Sequence, residues 1–366
     1  SLVARAPTSR DVVLGRAALL RRVGRREDAR AALGAWVSGH ADDAAATTEY
    51  AEILLTLGAT DSAEVYYRAL VAADPTNIPP RMGLVRIAVR QGNVPGALAM
   101  VDTIARTAAA RSDVQVLRGD LLLRSGLARE ALALFDSILV SEPTLRDAVL
   151  GRGTALARAA GPAPSDMYAR TKLFAPSIAV FDGWLKDHEN DDDARLSRAV
   201  ILAWAGDLDR AEPEFKRLVA SPLGSDARKY LARISMWRGM LARSEAEWRD
   251  LMRELPNDPD PLVGLGMALR WQDRPGAAEP YLRKAAAMAS APPEAAEQVQ
   301  LVNTDLSLTT SGRTTLAADN EGNTLRVAQG QVGFHAPWQG RVELRTAWIQ
   351  AVARGIAGDS RSLAAS

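Results

Sequence analysis

A fixed spacing of glycines constrains the fold of this 366-residue chain more than any other feature of its sequence. Four glycines follow one another at intervals of 34 residues, and an alanine stands five residues after each of them. The glycines are Gly24, Gly58, Gly92 and Gly126, and the alanines are Ala29, Ala63, Ala97 and Ala131. A period of this length predicts a stack of repeated supersecondary units.

Each period has the pattern of two helices joined at the glycine. A larger apolar side chain stands four residues after each alanine, and Pro75 and Pro143 end two of the units. Small residues at Ala17, Ala51 and Gly119, seven positions before the glycine, let the two helices approach closely. This order predicts a helix, a glycine turn, a second helix and a proline stop.

The period slips once, between the fourth and the sixth unit. Gly126 and Gly206 are 80 residues apart, which is two periods of 34 plus twelve residues. We assign the extra residues to the segment 159–177, where three prolines interrupt the pattern. We expect this insertion to separate the two helices of the fifth unit, with the second helix resuming at Ile178.

Eight helix pairs are predicted in all, over about residues 10–292. The last three centre on Gly206, Gly239 and Asp273, where Asp replaces the turn glycine. The second unit, TTEYAEILLTLGATDSAEVYYRALVAADP, resembles the tetratricopeptide repeat family, and the resemblance covers about four fifths of the chain. It implies an all-α right-handed superhelix over residues 1–295, with a concave groove lined mainly by the first helix of each pair.

A different texture begins after the sequence APPEAAEQ. Residues 296–366 alternate in polarity, are rich in Thr and Val, and contain turn-like breaks at 320–323 and 337–340. They predict a short antiparallel β segment of three strands. Because an outer-membrane barrel needs at least about eight strands of about ten residues, the segment would hold only the first strands of an incomplete barrel. The alternatives are a small β cap and a sheet that another chain completes.

Charge and cysteine content exclude several classes of function. Lys plus Arg number 45 against 44 Asp plus Glu, so the chain lacks the net positive field of a nucleic-acid-binding protein, and we expect no nucleic acid partner. The absence of cysteine excludes disulfides and thiolate metal sites. No apolar run is long enough for a spanning helix, and the first residues lack the apolar stretch of a secretory signal. Either the chain is cytoplasmic or a signal was removed before residue 1.

No pattern of catalytic or metal-binding residues is found. The three histidines, His40, His188 and His335, are scattered among a loop, a helix end and a turn. The stretch GLGMAL at Gly264 lies inside a repeat helix, where a dinucleotide loop is not expected. The acidic stretch 187–195, DHENDDDAR, lacks the spacing of a calcium loop and is expected to be a loop with a helix cap. We therefore predict no cofactor, no metal and no enzymatic activity.

One position in the repeat carries first arginines and then tryptophans. It lies two residues before each turn marker, in the last turn of each first helix. Its occupants are Arg22, Thr56, Arg90, Arg124, Arg158, Trp204, Trp237 and Trp271. Stacked units would place these residues in a row along the groove, about 10 Å apart.

The tryptophans have two interpretations. Flat indole faces pair with the apolar faces of sugar rings without demanding one orientation, so Trp204, Trp237 and Trp271 are candidates for binding a polysaccharide. Alternatively, the rings fill the space between neighbouring first helices.

The arginines also have two interpretations. Arg22, Arg90, Arg124 and Arg158 could clamp carboxylates of a peptide or protein partner. Alternatively, each cation complements the helix dipole and reaches the free carbonyls of the final turn.

The sequences AWAGDLDRAEPEF and MWRGMLARSEAEW, together with the strand-rich tail, resemble bacterial repeat-plus-barrel proteins that export exopolysaccharides, such as the export component of cellulose synthase. This resemblance implies a periplasmic repeat arm joined to an outer-membrane pore, with a polysaccharide chain or envelope proteins of a secretion complex as partners. The alternative function is a generic repeat scaffold that binds a peptide or protein in its concave groove.

Overall fold

The computed structural model describes residues 9–108, 111–161, 166–307, 309–318, 324–335, 341–353 and 356–365. Within these ranges the chain forms seventeen α-helices followed by four β-strands. Its contacts divide the chain into two compact units, Ser1–Gly206 and Asp207–Ser366. Each unit is described separately.

The first unit contains five helix pairs and the first helix of a sixth in its described part. The helices are α1 (Arg10–Arg22), α2 (Arg26–Gly39), α3 (Ala44–Thr56), α4 (Thr60–Ala73), α5 (Ile78–Arg90), α6 (Val94–Thr107), α7 (Ser112–Arg124), α8 (Ala128–Ser141), α9 (Arg146–Ala159), α10 (Met167–Asp187) and α11 (Asp192–Trp204). Each helix packs against the next in sequence, and the first helices also contact one another, as in α3 with α5 and α7 with α9. The helix pairs therefore stack side by side, as the 34-residue period predicts.

The turn between the two helices of a pair has the left-handed backbone that the glycine period indicates. Gly58, for example, has φ 84°. Asp273, which replaces glycine in the eighth pair, keeps a positive φ of 57°, since aspartate is one of the few residues that tolerate this region. In the fifth pair the left-handed residue is Gly161, with φ 85°, one position after Ala160, where the period placed the turn.

Aromatic side chains of second helices pack against glycines of neighbouring first helices. The Tyr67 ring lies against Gly83 of the next repeat, where a Cβ would come within 2.4 Å of the ring. Phe135 lies between Gly119 of its own repeat and Gly151 of the next, with distances of 2.5 and 2.3 Å to a Cβ at these positions. Because protein interiors are close-packed, a large ring on one helix requires a missing side chain on the facing helix.

The insertion in the fifth unit mostly lengthens a helix, which corrects the expectation of a break up to Ile178. The second helix, α10, begins at Met167 and has 21 residues, and it continues through Pro176. Asp166 caps its start, because the carboxylate accepts a hydrogen bond of 2.8 Å from the backbone N–H of Ala169. The other second helices of the described chain have 11 to 14 residues.

The second unit combines six helices with a sheet in its described part. Its helices are α12 (Leu208–Leu218), α13 (Gly224–Trp237), α14 (Leu241–Glu254), α15 (Asp260–Trp271), α16 (Pro275–Ala286) and α17 (Pro293–Leu306). Helix α17 packs on α16 and α15 and contributes the buried Val302 to a core that contains Trp248 and Leu282. Helical structure therefore continues past the boundary expected at residue 295. None of the described helices is long and apolar enough to span a membrane.

The sheet contains β1 (Thr309–Ala318), β2 (Thr324–His335), β3 (Arg341–Ala353) and β4 (Ile356–Ala365), paired antiparallel in chain order. One row of the register runs through Thr314, Ala328, Trp348 and Arg361. The antiparallel β segment is confirmed, but it has four strands in its described part where three were expected. The sequence of β4, IAGDSRSLAA, has few β-branched or aromatic residues, so it gives little strand signal. The turns expected at 320–323 and 337–340 lie outside the described residues.

Candidate functional site

Two of the three candidate tryptophans stand at equivalent helix ends of the second unit. Trp237 is the last residue of α13 and Trp271 the last residue of α15, and these neighbouring first helices contact each other. Their exposed fractions are 38% and 50%, whereas Trp248 is fully buried in the core. Tryptophan is the largest apolar side chain and is buried for most of its surface in a typical protein. Two indoles with this much free surface on adjacent repeats therefore form a candidate binding surface.

Ion pairs fix the helix ends that carry these two indoles. Arg238 follows the first tryptophan and pairs with Asp209 of α12 at 2.7 Å. Arg270 precedes the second tryptophan and pairs with Asp305 of α17, also at 2.7 Å. The neighbouring arginines therefore give each indole-bearing turn an ionic contact with another helix.

The third candidate, Trp204, lies in the first unit and has a different environment. It ends α11 and is 37% exposed. Its ring lies 6.4 Å from the ring of Phe174 in α10, centroid to centroid, with an interplanar angle of 52°. The lengthened α10 therefore covers part of this indole, so that Trp204 combines a packing contact with an exposed surface.

Two of the four candidate arginines are engaged in the stack itself. Arg90 Nη1 donates a hydrogen bond of 2.5 Å to the backbone oxygen of Leu55, and Arg158 Nη1 donates one of 2.9 Å to that of Leu123. Both carbonyls lie in the last turn of the preceding repeat's first helix. These cations therefore reach carbonyls of the neighbouring first helix, and not the free carbonyls of their own final turn as expected.

The other two arginines make no hydrogen bond or ion pair within the described residues. Arg22 and Arg124 are exposed at the ends of α1 and α7. Asp120 lies one turn before Arg124. Partial removal from water raises the pKa of its carboxyl group to about 6. The attraction of Arg124 opposes this rise and the repulsion from Asp147 adds to it, but the loss of hydration is the largest effect. Sequence reasoning missed this carboxylate, although its spacing of four residues from Arg124 places both on one helix face.

A second charged row runs one turn before the arginine row in the first unit. Glu52, Arg86 and Asp120 occupy equivalent positions of successive first helices, 34 residues apart. Arg86 donates a hydrogen bond to Glu52 across the repeat boundary. The 34-residue spacing of these three charged residues is visible in the sequence.

A repeated four-residue constellation explains two of the three histidines. His188 stacks on Trp184 with 3.8 Å between ring centroids, and the indole Nε1 donates a hydrogen bond of 2.9 Å to Asp191. Asp191 also accepts one of 2.6 Å from Arg146. The same arrangement recurs in Trp36, His40, Asp43 and Arg10. The sequence signal is Trp, His four residues later and Asp three residues after that, in WVSGHADD and WLKDHEND.

Both aspartates of this constellation also cap the next first helix. Asp191 accepts a hydrogen bond of 3.1 Å from the N–H of Ala194. Burial alone would raise its pKa, but hydrogen bonds from Arg146, Trp184 and this N–H lower it to about 2. The hydrogen bond from Arg10 likewise lowers the pKa of Asp43 to about 2. These groups connect consecutive repeats and have the contacts of structural residues.

Comparison with known proteins identifies the repeats in part of the first unit. Family models described as tetratricopeptide repeat match residues 14–78 and 54–121. Residues 14–121 therefore carry tetratricopeptide repeats. No curated protein sequence matches it.

Solved structures share the tetratricopeptide fold at low sequence identity. The human IFIT1 dimer with m7Gppp-AAAA is 15% identical, with a TM-score of 0.52, over 72% of this chain and 68% of that one. The APC/C hetero-tetramer Cut9-Hcn1 is 13% identical, with a TM-score of 0.52, and 81% of this chain spans 56% of that one. A tetratricopeptide repeat protein from Parabacteroides merdae is 15% identical over 80% of this chain and 97% of that one, with a TM-score of 0.48. The first two similarities show the fold alone.

Two stretches that could suggest a ligand loop have structural roles. Gly264 and Gly266 lie in α15 against Trp248 and Leu282, where a Cβ would come within 2.3 and 2.4 Å of these side chains. The acidic stretch 187–195 forms the capped inter-repeat loop expected of it. Within the described residues, no three His, Asp or Glu side chains are grouped to hold a metal ion.

A shallow trough of about 520 Å³ lies on one face of the sheet that follows the repeats. Its long polar side chains are Arg313, Gln329, Gln331 and Arg345. In the register, Arg313 lies opposite Gln329 and Gln331 lies opposite Arg345, so these side chains share one face. This part of the face is polar, and Arg345 pairs with Glu343 of the same face at 2.7 Å, whereas the register places Val327 and Ile349 farther along it.

Proposed function

We propose that this chain is a non-catalytic scaffold of the bacterial envelope, which guides an exopolysaccharide, or the proteins that handle it, to an outer-membrane export pore. The tetratricopeptide fold is suited to holding a partner along stacked first helices. The observation that carries the polysaccharide part of the proposal is the exposure of Trp237 and Trp271 at equivalent, anchored helix ends. Exposed flat rings on a rigid support are what a sugar chain requires for stacking.

Weak and repeated contacts suit a polymer that has to move. Each aromatic contact contributes about 0.5–1.5 kcal/mol beyond the apolar area that it buries. A chain held by a few such contacts can release one ring while the others remain bound. Because the contacts are largely apolar, we expect little dependence on salt.

The β segment supports an envelope location in this proposal. Its strands have 10 to 13 residues, the length used by strands that cross the outer membrane. The trough formed around Arg313 and Arg345 gives part of one face of the sheet a polar character. We propose that this segment begins the outer-membrane part of the pore.

Calorimetric titration with a neutral β-glucan hexasaccharide tests the proposal. We expect the chain to bind it with similar affinity at about 0.05 and about 0.5 M salt. The triple variant Trp204→Ala, Trp237→Ala, Trp271→Ala should lose this binding and keep its helical circular dichroism. Undiminished binding by a folded triple variant would contradict the assignment.

A second candidate function is a scaffold that grips a peptide or protein partner. It is favoured by Arg22 and Arg124, which are exposed and make no ion pair within the described residues. Binding of an acidic peptide should then weaken steeply with salt, because the attraction is ionic. The double variant Arg22→Gln, Arg124→Gln should abolish this binding and leave glucan binding unchanged.

A further inference from the structure

The inserted turns of α10 build a surface that the other described repeats lack. We call it the α10 tip and define it as Tyr168, Arg170, Lys172, Phe174 and Trp204. The first four lie in the N-terminal part of α10, which is 21 residues long, and Trp204 ends the following helix. In repeat proteins, insertions in single units often lie on the binding face.

Arg170 is placed where a cation is unfavourable. It lies in the fourth position of α10, near the positive end of the helix dipole, which repels a cation. Its Nε atom is buried and has no hydrogen-bond partner, and the guanidinium makes no ion pair within the described residues. A buried polar atom without a partner costs about 1–3 kcal/mol. The residue as a whole is only half-buried, so an anionic ligand could bind the accessible part of the guanidinium and supply the missing counter-charge.

Aromatic rings lie beside this cation. Phe174 is four residues after Arg170, so both lie on one side of α10, and the Phe174 ring contacts Trp204. Trp204 is more than a third exposed, while Phe174 is buried behind it. Lys172 Nζ lies 4.6 Å from the centre of the exposed Tyr168 ring. The side of the α10 tip that carries Arg170 therefore offers a free indole surface and one cation, because Lys172 lies two residues away on another side of the helix and Asp166 caps the helix.

We propose that the α10 tip binds a sugar that carries a carboxylate, such as a uronate residue of the guided polymer. The sugar ring stacks on Trp204, and Arg170 binds the carboxylate through its planar fork of N–H groups. This inference rests on the proposed function, because it names the polymer as acidic. An acidic peptide could satisfy the guanidinium, but it would leave the adjacent indole surface without a matching flat apolar group.

The test compares acidic and neutral glycans on the full chain. Hexamannuronate and cellohexaose are titrated into the wild type, Arg170→Gln, Arg170→Lys and Arg129→Gln. Arg129 is the matched control, since it is exposed in the first turn of α8 and makes no ion pair within the described residues. A poly-glutamate hexapeptide serves as the acidic ligand without sugar rings.

We expect Arg170→Gln to weaken hexamannuronate binding about tenfold or more and to leave cellohexaose binding unchanged. Arg170→Lys should recover only part of the affinity, because it keeps the charge without the planar fork. Arg129→Gln should change neither affinity by more than about twofold. Thermal unfolding checks that Arg170→Gln remains folded, as expected when an unpaired charge is removed.

The failures of the two proposals are distinguishable. Cellohexaose binding with no effect of Arg170→Gln on hexamannuronate would overturn the α10 tip assignment and leave the scaffold proposal standing. Binding of neither glycan to the wild type would overturn both. Arg170-dependent binding of poly-glutamate as tight as that of hexamannuronate would show a peptide site and overturn the uronate assignment.

Discussion

The indole Nε1 of Trp184 donates a hydrogen bond of 2.9 Å to a carboxylate oxygen of Asp191. The bond joins the second helix of one repeat to the start of the next first helix, because Asp191 also caps α11. Its recurrence between Trp36 and Asp43, at 3.1 Å, shows that the first unit uses one connecting device twice. The period of the sequence therefore extends to polar contacts as well as to packing.

Replacement of Trp184 by Phe should destabilise the first unit. The variant loses the N–H donor and keeps an aromatic ring, so the expected loss is about 1 kcal/mol, or a fall in Tm of about 2–4 °C. Differential scanning calorimetry measures this change. Trp237→Phe is the control, because the Trp237 indole makes no hydrogen bond within the described residues. An equal fall in Tm for both variants would contradict a connecting role of the Trp184 bond.

Acid should weaken the same connections. The pKa values of Asp43 and Asp191 are about 2 in the folded chain, against about 3.9 in an unfolded one. Since the folded pKa is lowered, the stabilisation is fully present above about pH 4 and is lost as pH falls through about 2. Asp191→Asn should therefore have a lower Tm than the wild type at about pH 7, and the difference should shrink by about pH 2.5. A constant difference over this range would argue against the assignment.

Filling the space at Gly264 should be unfavourable although the residue lies in a helix. An added Cβ would come within 2.3 Å of the Trp248 ring. Overpacking costs about 1–3 kcal/mol, and it opposes the gain of up to about 1 kcal/mol that alanine has over glycine in a helix. We expect Gly264→Ala to lower the stability measured by urea unfolding. Gly183→Ala in α10, where nothing lies within 4 Å of a Cβ, should instead be neutral or stabilising.

The arginine row should divide into two classes. Arg158→Gln removes a charged hydrogen bond to the Leu123 carbonyl, and a loss of about 1 kcal/mol is expected for a bond at the partly exposed helix end. Arg124→Gln removes an exposed cation without a hydrogen bond within the described residues and should stay within about 0.5 kcal/mol of the wild type. Thermal unfolding of both variants checks this division. Equal losses would contradict a stabilising role of the carbonyl contact.

The sequence predicted the helix pairs and their turns because the determinants are local. A left-handed turn requires glycine or a tolerant residue such as Asp273, and that requirement is visible at every 34-residue step. The predicted start of α10 at Ile178 was wrong, because the prolines in 159–177 were interpreted as a break. Pro176 in fact lies within the helix. Helix α17 was missed because it follows the last period and has no turn glycine to mark it.

The candidate site was only partly visible for the same reason. The position of each tryptophan in its repeat follows from the period, and the structure places each one at a helix end. The partner of Arg158 lies on a neighbouring repeat, and the contact of Trp204 with Phe174 depends on the unexpected length of α10. Contacts between repeats depend on the three-dimensional stack, which one sequence does not specify.

The central claim is that exposed indoles at the ends of first helices bind a sugar polymer. The chain has eight tryptophans. A ¹H–¹⁵N correlation spectrum of the ¹⁵N-labelled protein therefore contains only a small set of indole N–H signals, and single Trp→Phe variants assign each signal to its residue. During titration with a β-glucan hexasaccharide, the signals of Trp237 and Trp271 should shift together, and that of the fully buried Trp248 should stay in place. Saturable glucan binding that leaves the Trp237 and Trp271 signals unmoved would contradict the account.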